Sequence, residues 1–362
     1  MSFFGKKPKS FLGIDIGTSS IKVVQLKKED ERFKLETYGE LITIGYLERL
    51  NDPFQTTSLK TLEVVTREML KILLKKAEVT TKEVVMAIPI FSSFASVVEM
   101  PEIAEKELAR AVEFEARRYV PIPTAEVMLD WKIIESGIIK NSVSPKPFKG
   151  KRILLIAVPK EVVNKYIKLA DNLDLKIIAL ELESFSVARS LMVNDKGSAC
   201  ILDIGARATS FTIIDKSIIQ MNHSLDVAGA EMTRALATGL GITSKRAEEF
   251  KLTHGIKQGQ VQEGKRDIQE LLGVSIDKII NESERLITIY QSKTNRKIEK
   301  LILNGGSAQL LGLDKYIEEK LKIKVFIANP WSQIIYPPSL QPILKKLGPR
   351  FSGAIGAAMR KA

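Results

Sequence analysis

Short apolar runs alternate with longer, charge-studded stretches from one end of the chain to the other. Phe11 to Ile16, Val84 to Phe91 and Ile153 to Pro159 have strand length, whereas "AEKELARAVEFEARRY" repeats its apolar residues at helical spacing. This alternation predicts an α/β or α+β architecture rather than a sandwich or a bundle. The segment "AVEFEARRYVPIP" predicts an amphipathic helix with Ala111, Val112, Phe114 and Tyr119 on its buried side, stopped by Pro121 and Pro123.

Two strand-like segments echo each other at half-chain distance. "LGIDIGTSSIKVVQL" from Leu12 aligns with "CILDIGARATSFTII" from Cys200: Asp15 meets Asp203, Ile16 meets Ile204 and Gly17 meets Gly205, with apolar residues alternating afterwards. A repeated strand, turn and strand predicts two related lobes, each opening with the same hairpin. In the first copy Gly17 permits a tight turn, and the small residues Thr18, Ser19 and Ser20 leave backbone N–H groups exposed at its tip. In the second, Gly205 and Ala206 do the same. Such turns are anion cradles, and an acid at the strand end, Asp15 or Asp203, is placed to hold a hydrated cation. Either hairpin alone reads better as a plain turn. The pair favours two cradles that clamp a polyphosphate with Mg²⁺ between them. Lys22 is within reach of a phosphate, although its place between Ile21 and Val23 also fits a solvent-facing strand lysine.

A third glycine feature follows the basic stretch "QSKTNRKIEK". "LILNGGSAQLLGL" predicts a buried strand from Leu301, a Gly305-Gly306 turn and an amphipathic helix. Such a turn presents flat backbone and helix N-terminal donors, suited to an adenine face or an adjoining phosphate.

Composition narrows the setting. The chain has 362 residues, 44% of them hydrophobic and 27% charged, which is ordinary for a folded soluble protein of two or more domains. No apolar stretch approaches the roughly 18 to 20 residues that span a bilayer, and "MSFFGKKPKS" has no secretory h-region. A cytoplasmic location is expected. The net charge of +12 is compatible with nucleic acid, an anionic membrane surface or a lysine-rich solvated exterior. Basic residues interleaved with Glu, as in "KKEDERFK", favour the last, and no nucleic-acid partner is expected. The single cysteine, Cys200, lies in an apolar run and reads as a small buried hydrophobe.

The order of the three glycine loops resembles the actin, Hsp70 and hexokinase superfamily: a phosphate-1 loop over Leu12 to Gln25, a phosphate-2 loop over Ile201 to Thr212 and an adenosine loop over Leu303 to Ser307. The intervening "VAGAEMTRALATGLGITSKRAEEFKLTHG" is similar to the nucleotide-facing helix pair of the cell-division actin FtsA. That likeness implies that Gly229 approaches the ribose or phosphate side and that Glu248 and Lys251 reach the ribose and adenine; an ordinary Glu/Lys pair on a solvated helix is the alternative. "FLGIDIGTSSIKVVQL", "AVEFEARRYVPIP" and "PRFSGAIGAAMR" together resemble the PilM family of type IV pilus assembly proteins. The resemblance implies an α/β, actin-like two-lobed ATPase fold of duplicated ribonuclease H-like domains with an inserted IC-type subdomain. Subdomain IA then covers 9–81, 182–197 and 335–362, IC covers 82–181, IIA covers 198–228 and 297–334, and IIB covers 229–296. "VVMAIPI" and "ILLIAVP" would be the two recurring strands of IC.

By the same resemblance the chain binds ATP and Mg²⁺, with Asp15 and Asp203 acting on the metal through water. It captures the N-terminal cytoplasmic tail of the inner-membrane protein PilN, linking the motor of a type IV pilus, or a related type II secretion machine, to its alignment complex. Other inner-membrane assembly proteins and motor components, and self-association into a ring, are implied partners. The membrane is reached only through them, which places the chain at the inner membrane's cytoplasmic side. In bacterial actins an acid before the lobe-joining helix orients the attacking water, and "LELESFSVARSL" occupies that place. Glu183 is the first candidate and Glu181 the second, each equally readable as a helix-start carboxylate. Slow hydrolysis and binding without turnover both fit. The alternatives are an FtsA-like division actin and a sugar-kinase-type member. The first would carry a membrane tether after the last helix, where this chain stops at Ala362 and "SLQPILKKLGPR" is short and proline-broken; the second would need a base beside a sugar pocket.

Overall fold

The computed structural model describes residues 9–43, 64–120, 122–139, 148–256 and 268–360. The chain divides into two units, one formed by 1–89, 161–193 and 329–362, the other by 90–160 and 194–328.

In the first unit, the run around Asp15 forms β1 (Ser10–Ile16) and β2 (Ser20–Glu29), an antiparallel pair with Asp15 opposite Lys22. β3 (Arg32–Ile42) completes a meander on β2. The helix α1 (Val65–Lys76) lies against β3, where Thr37 Oγ1 donates to the Ala77 carbonyl at the helix end at 2.6 Å. β4 (Glu83–Ile88) pairs parallel with β1, and β8 (Lys176–Leu182) pairs parallel with β4. The two-residue β14 (Ile334–Ile335) lies on the outer edge of β3. Nearly every residue of β1 is buried, as expected of a strand covered on both faces, which is why it reads as an unbroken apolar run. One covering element is α9 (Gln341–Ala358), whose Gly353, Ala354, Gly356 and Ala357 let it lie directly on the sheet. A Cβ at Gly13 would stand 2.0 Å from the Ala354 carbonyl oxygen, so β1 and α9 meet backbone to backbone. The "SLQPILKKLGPR" stretch is not broken by its prolines: Pro342 falls in the first turn of α9, where no intrahelical N–H is needed, and the helix continues through Pro349.

The second unit repeats the plan. β9 (Ala199–Ile204), β10 (Thr209–Asp215) and β11 (Ile218–Leu225) form an antiparallel meander, β12 (Lys300–Asn304) pairs parallel with β9, and β13 (Val325–Ile327) pairs parallel with β12. The order β3-β2-β1-β4-β8 in one sheet thus recurs as β11-β10-β9-β12-β13 in the other. This is the duplication that the two "DIG" segments predict. Helices α5 (Gly229–Leu240), α7 (Ile268–Thr294) and α8 (Leu313–Leu321) bury Met232, Leu236, Leu272, Ile276, Leu313 and Ile317 in one core with Leu202 and Phe211 of the sheet.

Beyond β11 the second sheet continues through β5 (Phe94–Pro101), β7 (Phe148–Pro159) and β6 (Val127–Ile139). β5 joins β11 by the pairing of Ser96 with Met221, and Arg152 of β7 donates to Gln220 Oε1 at 2.9 Å. The runs "VVMAIPI" and "ILLIAVP", expected to sit together in one subdomain, therefore belong to different sheets: the first is β4, the second is in β7. An apolar run declares that a strand is buried but not which strand lies beside it, because sheet partners are chosen by long-range packing.

The helix expected over "AVEFEARRY" is α2 (Glu105–Ala116), and its buried side differs from the one expected. Leu108, Val112 and Ala116, spaced four apart, pack on Val98, Met100, Ile153 and Leu155. Ala111 is half-buried, but Phe114 is 66% exposed and Tyr119, beyond the helix end, is also exposed. Phe114 stands two residues from Val112, some 200° around the helix, so both cannot face the same core. The helix ends at Ala116, before either proline; Pro121 lies outside the described residues.

Candidate functional site

The sheet plan places an acid and a glycine turn at the ends of the matching strands β1 and β9, and the two turns close alike. In the first, Gly17 N–H donates to Ser20 O at 3.0 Å; in the second, Gly205 N–H donates to Ala208 O at 3.1 Å. Each hairpin reverses over the same spacing, with Ile16 opposite Ile21 and Ile204 opposite Thr209. The matched geometry leaves the tip residues Thr18 and Ser19, and Ala206, outside the hairpins' paired strand residues.

In the first turn, Asp15 is buried and Lys22 Nζ stands 3.8 Å from its Oδ2. Burial pushes the Asp15 carboxyl above its ordinary value; Lys22 opposes this and the charge of Glu40 adds to it. Tyr166 of α3 (Lys160–Asp171), also buried, belongs to this neighbourhood. Its phenol is pushed up, first by burial and then by the negative charges of Asp15 and Glu183. Nothing in the sequence singled Tyr166 out, because it sits on an ordinary amphipathic helix.

Glu183 and Glu181 part company. Glu183 opens α4 (Glu183–Leu191), immediately after β8. Glu181 is buried and fully engaged: it accepts from Arg189 Nη1 and Nη2 at 2.6 and 2.8 Å, from Ser186 Oγ at 2.5 Å and from Arg360 Nη1 at 2.7 Å. Burial alone would raise this carboxyl, but the hydrogen bonds and charges of Arg189, with Ser186 and Arg360, outweigh it and hold Glu181 below the usual glutamate range. Glu181 is a structural anchor and not available to orient water.

In the second unit the N-terminus of α5 is fastened to the second turn: Gly229 N–H donates to Gly205 O at 3.1 Å and Ala230 N–H to Ala206 O at 2.7 Å. A Cβ on Gly229 would lie 2.8 Å from Ser307 Oγ, so this helix start, the second turn and Ser307 meet in one place. Ser307 is held there by its own N–H, which donates to Ile204 O at 3.1 Å. Lys251, on α6 (Ser244–His254), is only 3% exposed. Its Nζ donates to Gly229 O at 2.9 Å and to Thr233 Oγ1 at 2.9 Å, and pairs with Glu248 Oε2 at 2.8 Å; Thr233 Oγ1 also donates to Glu248. Burial lowers Lys251 and the Glu248 charge opposes it, with burial prevailing. With three acceptors in place, Lys251 braces α5 against α6, and Glu248 keeps the more exposed carboxylate. Asp203, opposite Asn304 at the ends of β9 and β12, accepts a hydrogen bond from the Asn304 amide, and Gly305 (φ +86°) turns the chain beside it. Gly306 is exposed at the tip. Asn304 and Thr233 carry no motif of their own; Asn304 stands within the quoted "LILNGG", but its register opposite Asp203 appears only in the folded sheet.

Each unit thus presents a glycine turn beside a strand-end carboxylate, a donor set suited to a phosphate and a hydrated cation. The Gly229 wall admits no side chain. Among the described residues no cluster of three or more His, Cys, Asp or Glu could hold a metal directly. Cys200 is buried in β9, its thiol pushed up to about 12 by burial, and has no part in this chemistry.

Two sheets with the same strand order, each opening on an acid, a glycine turn and a second strand, define an actin-like fold. The model of the type IV pilus assembly protein PilM family matches residues 13–362, and the chain belongs to that family. Among characterised proteins, it is similar to the cell division protein FtsA of Staphylococcus epidermidis RP62A, 24% identical over 374 residues covering 93% of this chain and 78% of that one. FtsA of Bacillus subtilis 168 is 21% identical over 354 residues, covering 88% of this chain and 78% of its own. Among solved structures, a PilM–PilN type IV pilus biogenesis complex superimposes with a TM-score of 0.78 at 22% identity, covering 96% of this chain and 97% of that one. The ethanolamine utilization protein EutJ of Carboxydothermus hydrogenoformans shares the fold with a TM-score of 0.55 at 15% identity, covering 97% of this chain and 90% of its own.

Proposed function

We propose that this chain is a nucleotide-responsive adaptor of a type IV pilus machine, which binds Mg²⁺–ATP and captures the N-terminal cytoplasmic tail of the inner-membrane protein PilN. The observation that carries the nucleotide part is the matched pair of closed glycine turns, Gly17 to Ser20 and Gly205 to Ala208, each beside a strand-end aspartate. Membership of the PilM family supports the pilus setting. The PilN part is supported by the similar structure's being a PilM–PilN complex.

In this reading the turn amides and Lys22 bind phosphate, while Asp15 and Asp203 order water around Mg²⁺, which neutralises phosphate charge when bound. Gly229, Gly305, Gly306, Ser307 and Glu248 receive the nucleoside, and Lys251 keeps the Gly229 wall in place. Glu183 is the group to orient an attacking water where hydrolysis occurs. A partner that binds one nucleotide state better than another shifts the population by that difference in affinity, and the nucleotide then feels the partner equally. Among the described residues no helix is long and apolar enough to cross a membrane, and the adaptor reaches the inner membrane through PilN.

The test is calorimetric titration of the full chain with a synthetic PilN tail, with and without Mg²⁺–ATP. Specific binding whose affinity changes with nucleotide is the expected result. No binding in either state would overturn the adaptor role, whereas equal binding in both states would overturn only the nucleotide response.

A further inference from the structure

Asn304 closes β12 directly across from Asp203 at the end of β9, and its amide nitrogen donates to Asp203 Oδ2. Asn304 is 2% exposed, so this amide is a built interior feature rather than a surface contact. The next residue, Gly305, turns with φ +86°, and a Cβ there would stand 2.5 Å from Asp203 Oδ1 and 2.5 Å from Ile204 O. Both carboxylate oxygens therefore face the junction of strand and turn. One is hydrogen-bonded by the amide, and the other lies against a residue that can carry no side chain.

An aspartate that orders water around a cation must keep its lone pairs aimed one way, yet the terminal torsion of a free Asp is broad. Partners that hold a metal-facing group in orientation contribute to metal affinity, typically about 10–100-fold. An amide is well suited to hold one. An ionised carboxylate accepts only, so the Asn304 nitrogen must be the donor, and it adds no charge to compete for the cation. The first unit holds its aspartate differently, by pairing Asp15 with Lys22 at 3.8 Å.

We propose that Asn304 is a positioning residue, which orients the Asp203 carboxylate for the Mg²⁺ that accompanies nucleotide. The Asn304–Gly305 junction is then part of the phosphate–metal machinery, in addition to any contact that Gly306 and Ser307 make with the nucleoside. This rests on Asp203 serving Mg²⁺-dependent nucleotide binding, as proposed above.

The experiment titrates the full chain with MgCl₂ at a fixed concentration of a fluorescent ATP analogue, and repeats the nucleotide titration in EDTA. Asn304→Leu keeps the volume and removes the donor. It is expected to raise the Mg²⁺ needed for half-maximal binding about tenfold, the value of one hydrogen bond to a charged group, with affinity in EDTA unchanged. Asn304→Ser keeps a hydroxyl donor but opens a cavity, and is expected to shift the Mg²⁺ midpoint less. A purely packing role predicts the opposite order, with Ser the more harmful. That order, or a wild-type midpoint in the variants, would overturn the proposal. Should Asn304→Leu not fold, Asn304→Ser decides by itself: a wild-type midpoint overturns the proposal and an intermediate shift supports it. Asp203→Ala separates this inference from its foundation. If Asp203→Ala loses Mg²⁺ dependence while the Asn304 variants keep it, only the positioning role fails; if Asp203→Ala titrates as wild type, the assignment of Asp203 to the metal fails.

Discussion

Arg189 grips Glu181 with both arms of its guanidinium, Nη1 to Oε1 at 2.6 Å and Nη2 to Oε2 at 2.8 Å, and Nη1 also donates to the Gly356 carbonyl at 2.6 Å. One ion pair thus ties the end of β8, the body of α4 and the small-residue face of α9. Glu181→Ala would leave Arg189 partly buried without its carboxylate, and is expected to destabilise the fold by about 3 kcal/mol. Arg360→Ala removes a more exposed partner from the same carboxylate and is expected to cost no more than about 1 kcal/mol. Urea unfolding of the two variants checks the order.

The same pair sets a pH dependence. The folded Glu181 carboxyl titrates below its ordinary value of 4.5, with Arg189 the main lowering influence. Its contribution to stability is therefore complete above the unfolded value and is lost as pH falls through the folded one. The urea midpoint of the wild type is expected to drop with acidification below about pH 4.5, the ordinary value. Glu181→Gln should be less stable at neutral pH and lose less on acidification over that interval. Parallel curves for the two proteins would remove Glu181 from the acid transition.

How much of this was legible in the sequence depends on distance along the chain. The hairpins around Asp15 and Asp203 were readable because alternation, turn and acid all lie within fifteen residues, and their echo announced the repeated sheet plan. Pairing between strands far apart in the chain was not: Ile153 to Pro159 shows its apolarity but not its neighbour β5. Phe114 misled because an aromatic on a charged helix looks like an anchor, whereas the helical phase of Leu108, Val112 and Ala116 puts it on the outside. Glu181 and Glu183 differ by two residues and have the same chemistry in the sequence. Only the arrival of Arg189 and Arg360 makes one an anchor.

The contact between β1 and α9 makes a sharper demand on residue size. A Cβ at Gly13 would lie 2.0 Å from Ala354 O and 2.5 Å from Ala358 N, and one at Gly356 would lie 1.7 Å from Ser186 O. These are backbone atoms with no rotamer to relieve them, so Gly13→Ala and Gly356→Ala are expected to destabilise by about 3 kcal/mol or more. Gly273 is the control: it lies inside α7, and a Cβ there meets nothing within 4 Å. Gly273→Ala should stabilise by about 0.5–1 kcal/mol through helix propensity. Thermal melting of the three variants under one condition tests both directions at once.

The Gly229 wall is predicted to depend on Lys251 for shape more than for charge. Lys251→Met retains most of the side-chain volume but leaves Gly229 O, Thr233 Oγ1 and Glu248 without their shared donor. Loss of a buried donor to several acceptors is expected to cost about 1–3 kcal/mol. Nucleotide affinity should fall both with and without Mg²⁺, because the nucleoside wall is affected and the metal is not. A variant that lost affinity only in the presence of Mg²⁺ would instead place Lys251 on the phosphate side.

Asp15 should reveal a conflict between stability and binding. Its carboxyl is raised above the ordinary value by burial, with Lys22 only partly opposing, so the charged form costs the folded state free energy at neutral pH. The sign follows: that cost is present above the folded pKa and is relieved as pH falls through it, the reverse of Glu181. Asp15→Asn keeps the shape and removes the charge, and is expected to raise the melting temperature at neutral pH while weakening Mg²⁺-dependent ATP binding. The two measurements must move in opposite directions. If Asp15→Asn melts lower, Lys22 outweighs burial at this position; if ATP binding is unchanged, the aspartate does not serve the metal. A gain in stability with a loss of binding is what a carboxylate kept for a cation requires, since Lys22 offsets only part of the cost of burying it.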